Sequence, residues 1–174
     1  MSTAEQKASR IRLLFLDVDG VMTDGRFGLT DKGVEIKYFH VRDGLGLKMI
    51  LSEGIEVVLI TGRRSEALQI RAEEIGITEI YQGVKEKGRL CRGIMKEKGL
   101  AVEETCSMGD DLPDLEMFRE TGLSIAVADA VKEVMEASDF ITRNRGGFGA
   151  VREACEWLLR CRSQGPDKGG MRGK

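Results

Sequence analysis

The chain has almost no net charge, one histidine, no Cys-x-x-Cys pair and no apolar run long enough to cross a bilayer. Its 27 basic and 29 acidic side chains are interspersed and leave a formal charge of −2. That gives no general attraction to nucleic acid or to an anionic membrane surface. The longest apolar runs fall far short of a membrane span. The polar opening Met1-Ser2-Thr3-Ala4-Glu5-Gln6-Lys7 lacks the apolar region of a signal peptide. Cys91, Cys106, Cys155 and Cys161 have no metal-ligand spacing and no histidine nearby, which argues against zinc. They read as reduced, mostly buried thiols, and the expected location is cytoplasmic.

What is present is organised around Leu13-Leu14-Phe15-Leu16-Asp17-Val18-Asp19-Gly20. The apolar run reads as a buried strand, and it ends in two carboxylates one residue apart. In a parallel sheet the carboxyl ends of strands form the crevice where ligands bind. Two acids there repel one another or share a hard cation, most naturally Mg²⁺. An acidic turn with no ligand is the competing reading of Asp17-x-Asp19-Gly20 alone.

At 174 residues the chain suits one domain with a substantial core. Residues 1–10 read as a flexible arm, 11–162 as the domain and 163–174 as a glycine-rich flexible tail. Between them, Gly25–Thr30 and Val34–Phe39 flank Asp31-Lys32-Gly33, a hairpin signal. A two-stranded ribbon is marginal alone. This one carries Phe27, Leu29, Val34, Ile36, Tyr38 and Phe39, so it should pack on its own subunit or on a neighbour's ribbon. His40 stands where the ribbon returns; as the only histidine it invites a catalytic role, but that edge position favours a structural one.

Helices and strands then alternate. Asp43 can cap a helix over Leu45–Leu51, and Ser65 another ending at Gly76. Strands are expected at Glu56–Ile60, Ile77–Tyr81, Thr105–Met108, Leu123–Val127 and Phe140–Thr142. Helices are expected at about 86–98, after Pro113, at 131–137 and at 150–161. The pattern implies an α/β fold: a Rossmann-like parallel sheet wound on both faces, with a hairpin extension and no large cap domain.

The strand ends carry groups suited to phosphate chemistry. Asp17 and Asp19 follow the first strand. Thr61 and the bare amide of Gly62 follow the second and can donate to phosphoryl oxygens. Asp110 and Asp111 follow a later strand and can complete an oxygen-rich metal site. Lys87, opening a helix, supplies a cation against the phosphate; a surface lysine is the alternative.

This set resembles the motifs of the haloacid-dehalogenase superfamily of aspartyl phosphatases: Asp17-x-Asp19, Thr61, Lys87 and Gly109-Asp110-Asp111-x-x-Asp114. Further stretches resemble its 3-deoxy-D-manno-octulosonate 8-phosphate phosphatases: Asp19-Gly20-Val21-x-Thr23-Asp24-Gly25, Val41-Arg42-Asp43-Gly44, Ile60-Thr61-Gly62-Arg63, Tyr81-Gln82-Gly83 and Gly146-Gly147-x-Gly149-Ala150-Val151-Arg152-Glu153. The resemblance implies that Asp17 is the nucleophile and Asp19 the general acid and base. Mg²⁺ would be held by Asp17, the Asp19 main-chain carbonyl and Asp110. Thr61, Gly62 and Lys87 would hold the phosphate, Arg63 the substrate carboxylate, and Asp111 and Asp114 would support from behind. It also implies a homotetramer whose ribbons assemble, acting on a phosphorylated sugar acid. A nonulosonate 9-phosphate phosphatase and a non-catalytic assembly domain are the alternatives.

Overall fold

A computed structural model describes residues 2–164. Six parallel strands form one sheet in the order β5-β4-β1-β6-β7-β8. In chain order these are β1 (Leu13–Leu16), β4 (Glu56–Thr61), β5 (Glu79–Gln82), β6 (Thr105–Gly109), β7 (Leu123–Ala126) and β8 (Phe140–Ile141). β2 (Gly28–Leu29) and β3 (Glu35–Ile36) form a separate antiparallel pair. The helices are α1 (Ala4–Ala8), α2 (Val41–Ser52), α3 (Glu66–Ile75), α4 (Lys87–Lys98), α5 (Leu115–Glu120), α6 (Lys132–Ala137) and α7 (Ala150–Ser163). Among the described residues no helix is long and apolar enough to cross a membrane.

Alternation along β1 divides the core in two, because successive strand residues point to opposite faces. Leu14 and Leu16 pack with Leu47 of α2, Leu68 of α3 and Val151 of α7. Leu13 and Phe15 pack with Cys91 and Ile94 of α4 and Met117 of α5. With both faces covered, β1 is apolar without interruption, as expected of a central parallel strand. It pairs with β4 on one side and β6 on the other. The carboxyl ends of these three neighbours therefore lie together.

Several expectations are corrected. The N-terminal stretch is not a free arm: Thr3 caps α1 in a capping box. Ala8 is buried in the core and Lys7 reaches Asp139 at 2.5 Å. The ribbon is shorter than its alternation implies, with only Gly28–Ile36 and Leu29–Glu35 in register, since exposed apolar positions there lack a second layer to reward longer pairing. Asp43 does not cap α2. His40 does, accepting from the Arg42 amide at 3.2 Å through Nδ1, while buried Asp43 accepts from the Arg152 amide of α7 at 2.8 Å. His40 thus has the structural role. Ser65 and Gly76 bound α3 as expected. The four cysteines are free and buried. Most of the tail, from residue 165 on, lies outside the described residues.

Candidate active site

The turn after β1 builds the acidic end. Asp17 stays in the sheet, its amide donating to the Met108 carbonyl at 3.1 Å. The chain then folds tightly, with the amides of Val21, Met22 and Thr23 all donating to the Val18 carbonyl. Gly20 makes this possible. Its φ of +95° is a glycine conformation, and a Cβ there would run into the Asp110 carboxylate. The Thr23 hydroxyl closes the turn by accepting from the Gly20 and Gly25 amides at 3.3 and 3.2 Å.

Lys87 opens α4 and is buried between two carboxylates. Its Nζ lies 2.6 Å from Asp17 Oδ1 and 2.6 Å from Asp114 Oδ1. Asp114 Oδ2 accepts from the amides of Asp110 and Asp111 at 2.9 and 3.2 Å. Both Asp114 oxygens are thus engaged in holding Lys87 and the loop after β6. Asp110 differs: its Oδ1 is buried without a hydrogen-bond partner. Carboxylate oxygens of Asp17, Asp110 and Asp114 all lie within 4.8 Å of one another.

The electrostatics follow from three carboxylates facing one ammonium. Burial, then Asp114, pushes Asp17 up to about 7 against the pull of Lys87. Burial, then Asp17, Asp114 and Asp111, pushes Asp110 up to about 8. Burial pulls the Lys87 ammonium down, but Asp17 and Asp114 outweigh it and its pKa is raised. An all-oxygen set with an orphaned, buried carboxylate oxygen fits a hard divalent cation. Such a charge would relieve the repulsion that these shifts express.

Thr61 ends β4, buried, and donates to Asp19 Oδ2 at 3.2 Å. Gly62 beside it is exposed. The structure therefore brings Asp17, Asp19, Thr61, Lys87, Asp110 and Asp114 together. Two residues stand apart. Asp111 is exposed and caps the turn Leu112–Asp114, accepting from the Leu112 amide at 2.8 Å. Arg63 extends toward the ribbon, 4.0 Å above the Phe27 ring and 2.7 Å from Glu35 Oε2.

The fold has known counterparts. Residues 64–153 match the family described as haloacid dehalogenase-like hydrolase. The chain is 44% identical over 153 residues to the Escherichia coli K12 protein named 3-deoxy-D-manno-octulosonate 8-phosphate phosphatase KdsC, spanning 88% of this chain and 81% of that one. The chain belongs to the haloacid dehalogenase-like hydrolases. Its similarity to the Yersinia pestis phosphatase of the same name is 42% over 154 residues, covering 88% of this chain and 82% of that one. A crystal structure of the Moraxella catarrhalis phosphatase, in complex with magnesium ion, phosphate ion and KDO molecule, superposes with a TM-score of 0.90 at 41% identity, covering 92% of each chain.

In this haloacid dehalogenase-like hydrolase one site residue escapes the motifs. Lys37 on the ribbon is buried and pairs with Asp19 Oδ1, with Glu35 Oε1 3.7 Å from the same ammonium. The available signal was strand alternation: Glu35 and Lys37 share one ribbon face, opposite Val34, Ile36 and Tyr38. The Gly146–Gly147 loop, one of the motif stretches, lies against the acidic turn. The Gly147 amide donates to the Val21 carbonyl at 3.0 Å, and a Cβ on Gly146 would overlap the Gly20 carbonyl.

Proposed function

We propose that the chain is a Mg²⁺-dependent phosphatase that hydrolyses 3-deoxy-D-manno-octulosonate 8-phosphate to the free sugar acid and phosphate. The observation that carries this is the buried Asp17–Lys87–Asp114 cluster beside the unpartnered Asp110 oxygen, in a chain 44% identical to a phosphatase of that name.

Asp17 attacks phosphorus through a carboxylate oxygen. The bond from phosphorus to the sugar oxygen breaks, its electron pair stays on that oxygen, and Asp19 gives it a proton. The ionised Asp19 next takes a proton from water as the water oxygen attacks phosphorus. The bond to Asp17 breaks, and phosphate leaves with both carboxyls restored. Thr61, the Gly62 amide and Lys87 hold the phosphoryl oxygens, where charge accumulates. Lys87 also orients Asp17, and Asp114 fixes Lys87. Mg²⁺, held by Asp17, the Asp19 carbonyl and Asp110, would neutralise charge between nucleophile and phosphate. Arg63 recognises the substrate carboxylate after exchanging Glu35 for it.

The enzyme works in the cytoplasm as a homotetramer. Exposed Leu29, Val34 and Tyr38 support ribbon-to-ribbon packing, being 63%, 60% and 74% accessible. The test is a steady-state comparison of octulosonate 8-phosphate with nonulosonate 9-phosphates and a generic aryl phosphate. A kcat/KM at least tenfold higher for the eight-carbon ester is expected. Preference for a nine-carbon ester would overturn the substrate, and no hydrolysis of any ester would overturn the enzyme.

A further inference from the structure

The ribbon is more than a surface for other subunits, because it sends one charged side chain into the site of its own chain. Lys37 has a side chain only 1% accessible, although it directly follows the outlying two-stranded ribbon. A lysine is buried at a cost unless it is paired. Here its ammonium contacts Asp19 Oδ1, and Glu35 Oε1 lies 3.7 Å away. Asp19 Oδ2 accepts from the Thr61 hydroxyl at 3.2 Å. Each carboxylate oxygen of Asp19 therefore has one keeper, from two different parts of the fold. Glu35 is held in turn by Arg63 at 2.7 Å.

We infer that Lys37 is a positioning residue for Asp19, fixing one of its oxygens so that the other is presented to the leaving group. This rests on the phosphatase reading above, in which Thr61 binds phosphate. When a phosphate ester enters, the Thr61 hydroxyl turns to a phosphoryl oxygen and releases Asp19 Oδ2. Lys37 keeps Oδ1, so the carboxyl does not swing away. Oδ2, protonated from solvent once Thr61 has left it, then gives that proton to the ester oxygen as the bond to phosphorus breaks, and regains one from the attacking water in the second displacement.

This role has a signature in the leaving group. An alkyl alkoxide needs the proton as it departs, whereas 4-nitrophenolate departs without it. The ratio kcat/KM reports the first displacement. For Lys37→Met, kcat/KM should fall about 10- to 100-fold on octulosonate 8-phosphate and equally on propyl phosphate, which has no sugar to be recognised. On 4-nitrophenyl phosphate the fall should be threefold or less, and Lys37→Arg should recover part of the loss on both alkyl esters. A fall on the sugar phosphate alone would mean that Lys37 contacts the sugar and would overturn the inference. An equal fall on all three esters, or on none, would overturn it too. Should circular dichroism show Lys37→Met unfolded, the panel is read on Lys37→Gln; both unfolded would make Lys37 structural and end the inference. Failure of the phosphatase reading looks different, since the unmodified protein would then hydrolyse none of the esters.

Discussion

Lys87 Nζ sits 2.6 Å from Asp17 Oδ1, joining the start of α4 to the end of β1 across 70 residues of sequence. A buried lysine so close holds the aspartate in one orientation and counters the repulsion from Asp114 and Asp110. It also places a cation where a phosphoryl group would meet the attacking oxygen. The expected consequences start from this pair.

Asp17→Asn should lower phosphatase activity by more than about 1,000-fold, because an amide of nearly equal volume is not a nucleophile. The fold should persist, since Lys87 retains Asp114 at 2.6 Å. Steady-state assay together with a thermal melt checks both halves. Ordinary turnover by a pure, folded variant would end the aspartyl-phosphate mechanism.

Gly20→Ala tests the metal site without replacing a ligand. The backbone conformation alone costs about 1–2 kcal/mol for a residue with a Cβ. The added methyl also collides with the Asp110 carboxylate. We expect the Mg²⁺ concentration for half-maximal activity to rise at least about tenfold. An unchanged Mg²⁺ dependence would show that Asp110 does not hold the metal.

Protons and metal should compete for Asp17 and Asp110. Both start from 3.8 and are pushed up to about 7 and about 8 in the metal-free fold, with burial the largest cause. A raised acid pKa means that the folded chain binds more protons than the unfolded one. This contribution to stability is therefore full below 3.8 and is lost as pH rises through about 7 and 8. Mg²⁺ displaces those protons, so its stabilisation should grow over the same interval. Melting curves with chelator and with Mg²⁺, taken between about pH 5 and 8, should diverge as pH rises. Curves that stay parallel would mean that the carboxylates bind no cation. Hydrolysis itself should stop on chelation and return with Mg²⁺.

Assembly through the ribbon is probed best at Leu29 and Val34, which are 63% and 60% accessible. Phe39 is less suitable, because it packs against the core of its own chain. Replacing Leu29 and Val34 together by glutamate should convert the proposed tetramer to smaller species in equilibrium sedimentation. Activity on the sugar phosphate should fall more than activity on 4-nitrophenyl phosphate. An unmodified protein that sediments as a monomer would remove the ribbon from assembly.

Much of the fold was legible from local pattern. Apolar runs such as Leu13–Leu16 and Val57–Ile60 read as buried strands because a central parallel strand is covered on both faces. Ser65 and Gly76 marked the ends of α3 through chemistry that acts within a few residues. The acids after β1 and β6, Thr61 at the end of β4 and Lys87 at α4 were legible as a set, because wound parallel sheets gather their strand ends at one edge. Contacts between distant segments were not. Asp43 has the composition of a cap, yet the approach of α7 turns it into an acceptor for the Arg152 amide and leaves His40 to cap α2. The first ten residues look featureless because their helix is held by a core built from residues far along the chain. Lys37 reads as one ordinary charge in an alternating ribbon. Only the folding of that ribbon onto the end of β1 buries it beside Asp19, since an ion pair is decided by where two segments meet and not by the composition of either.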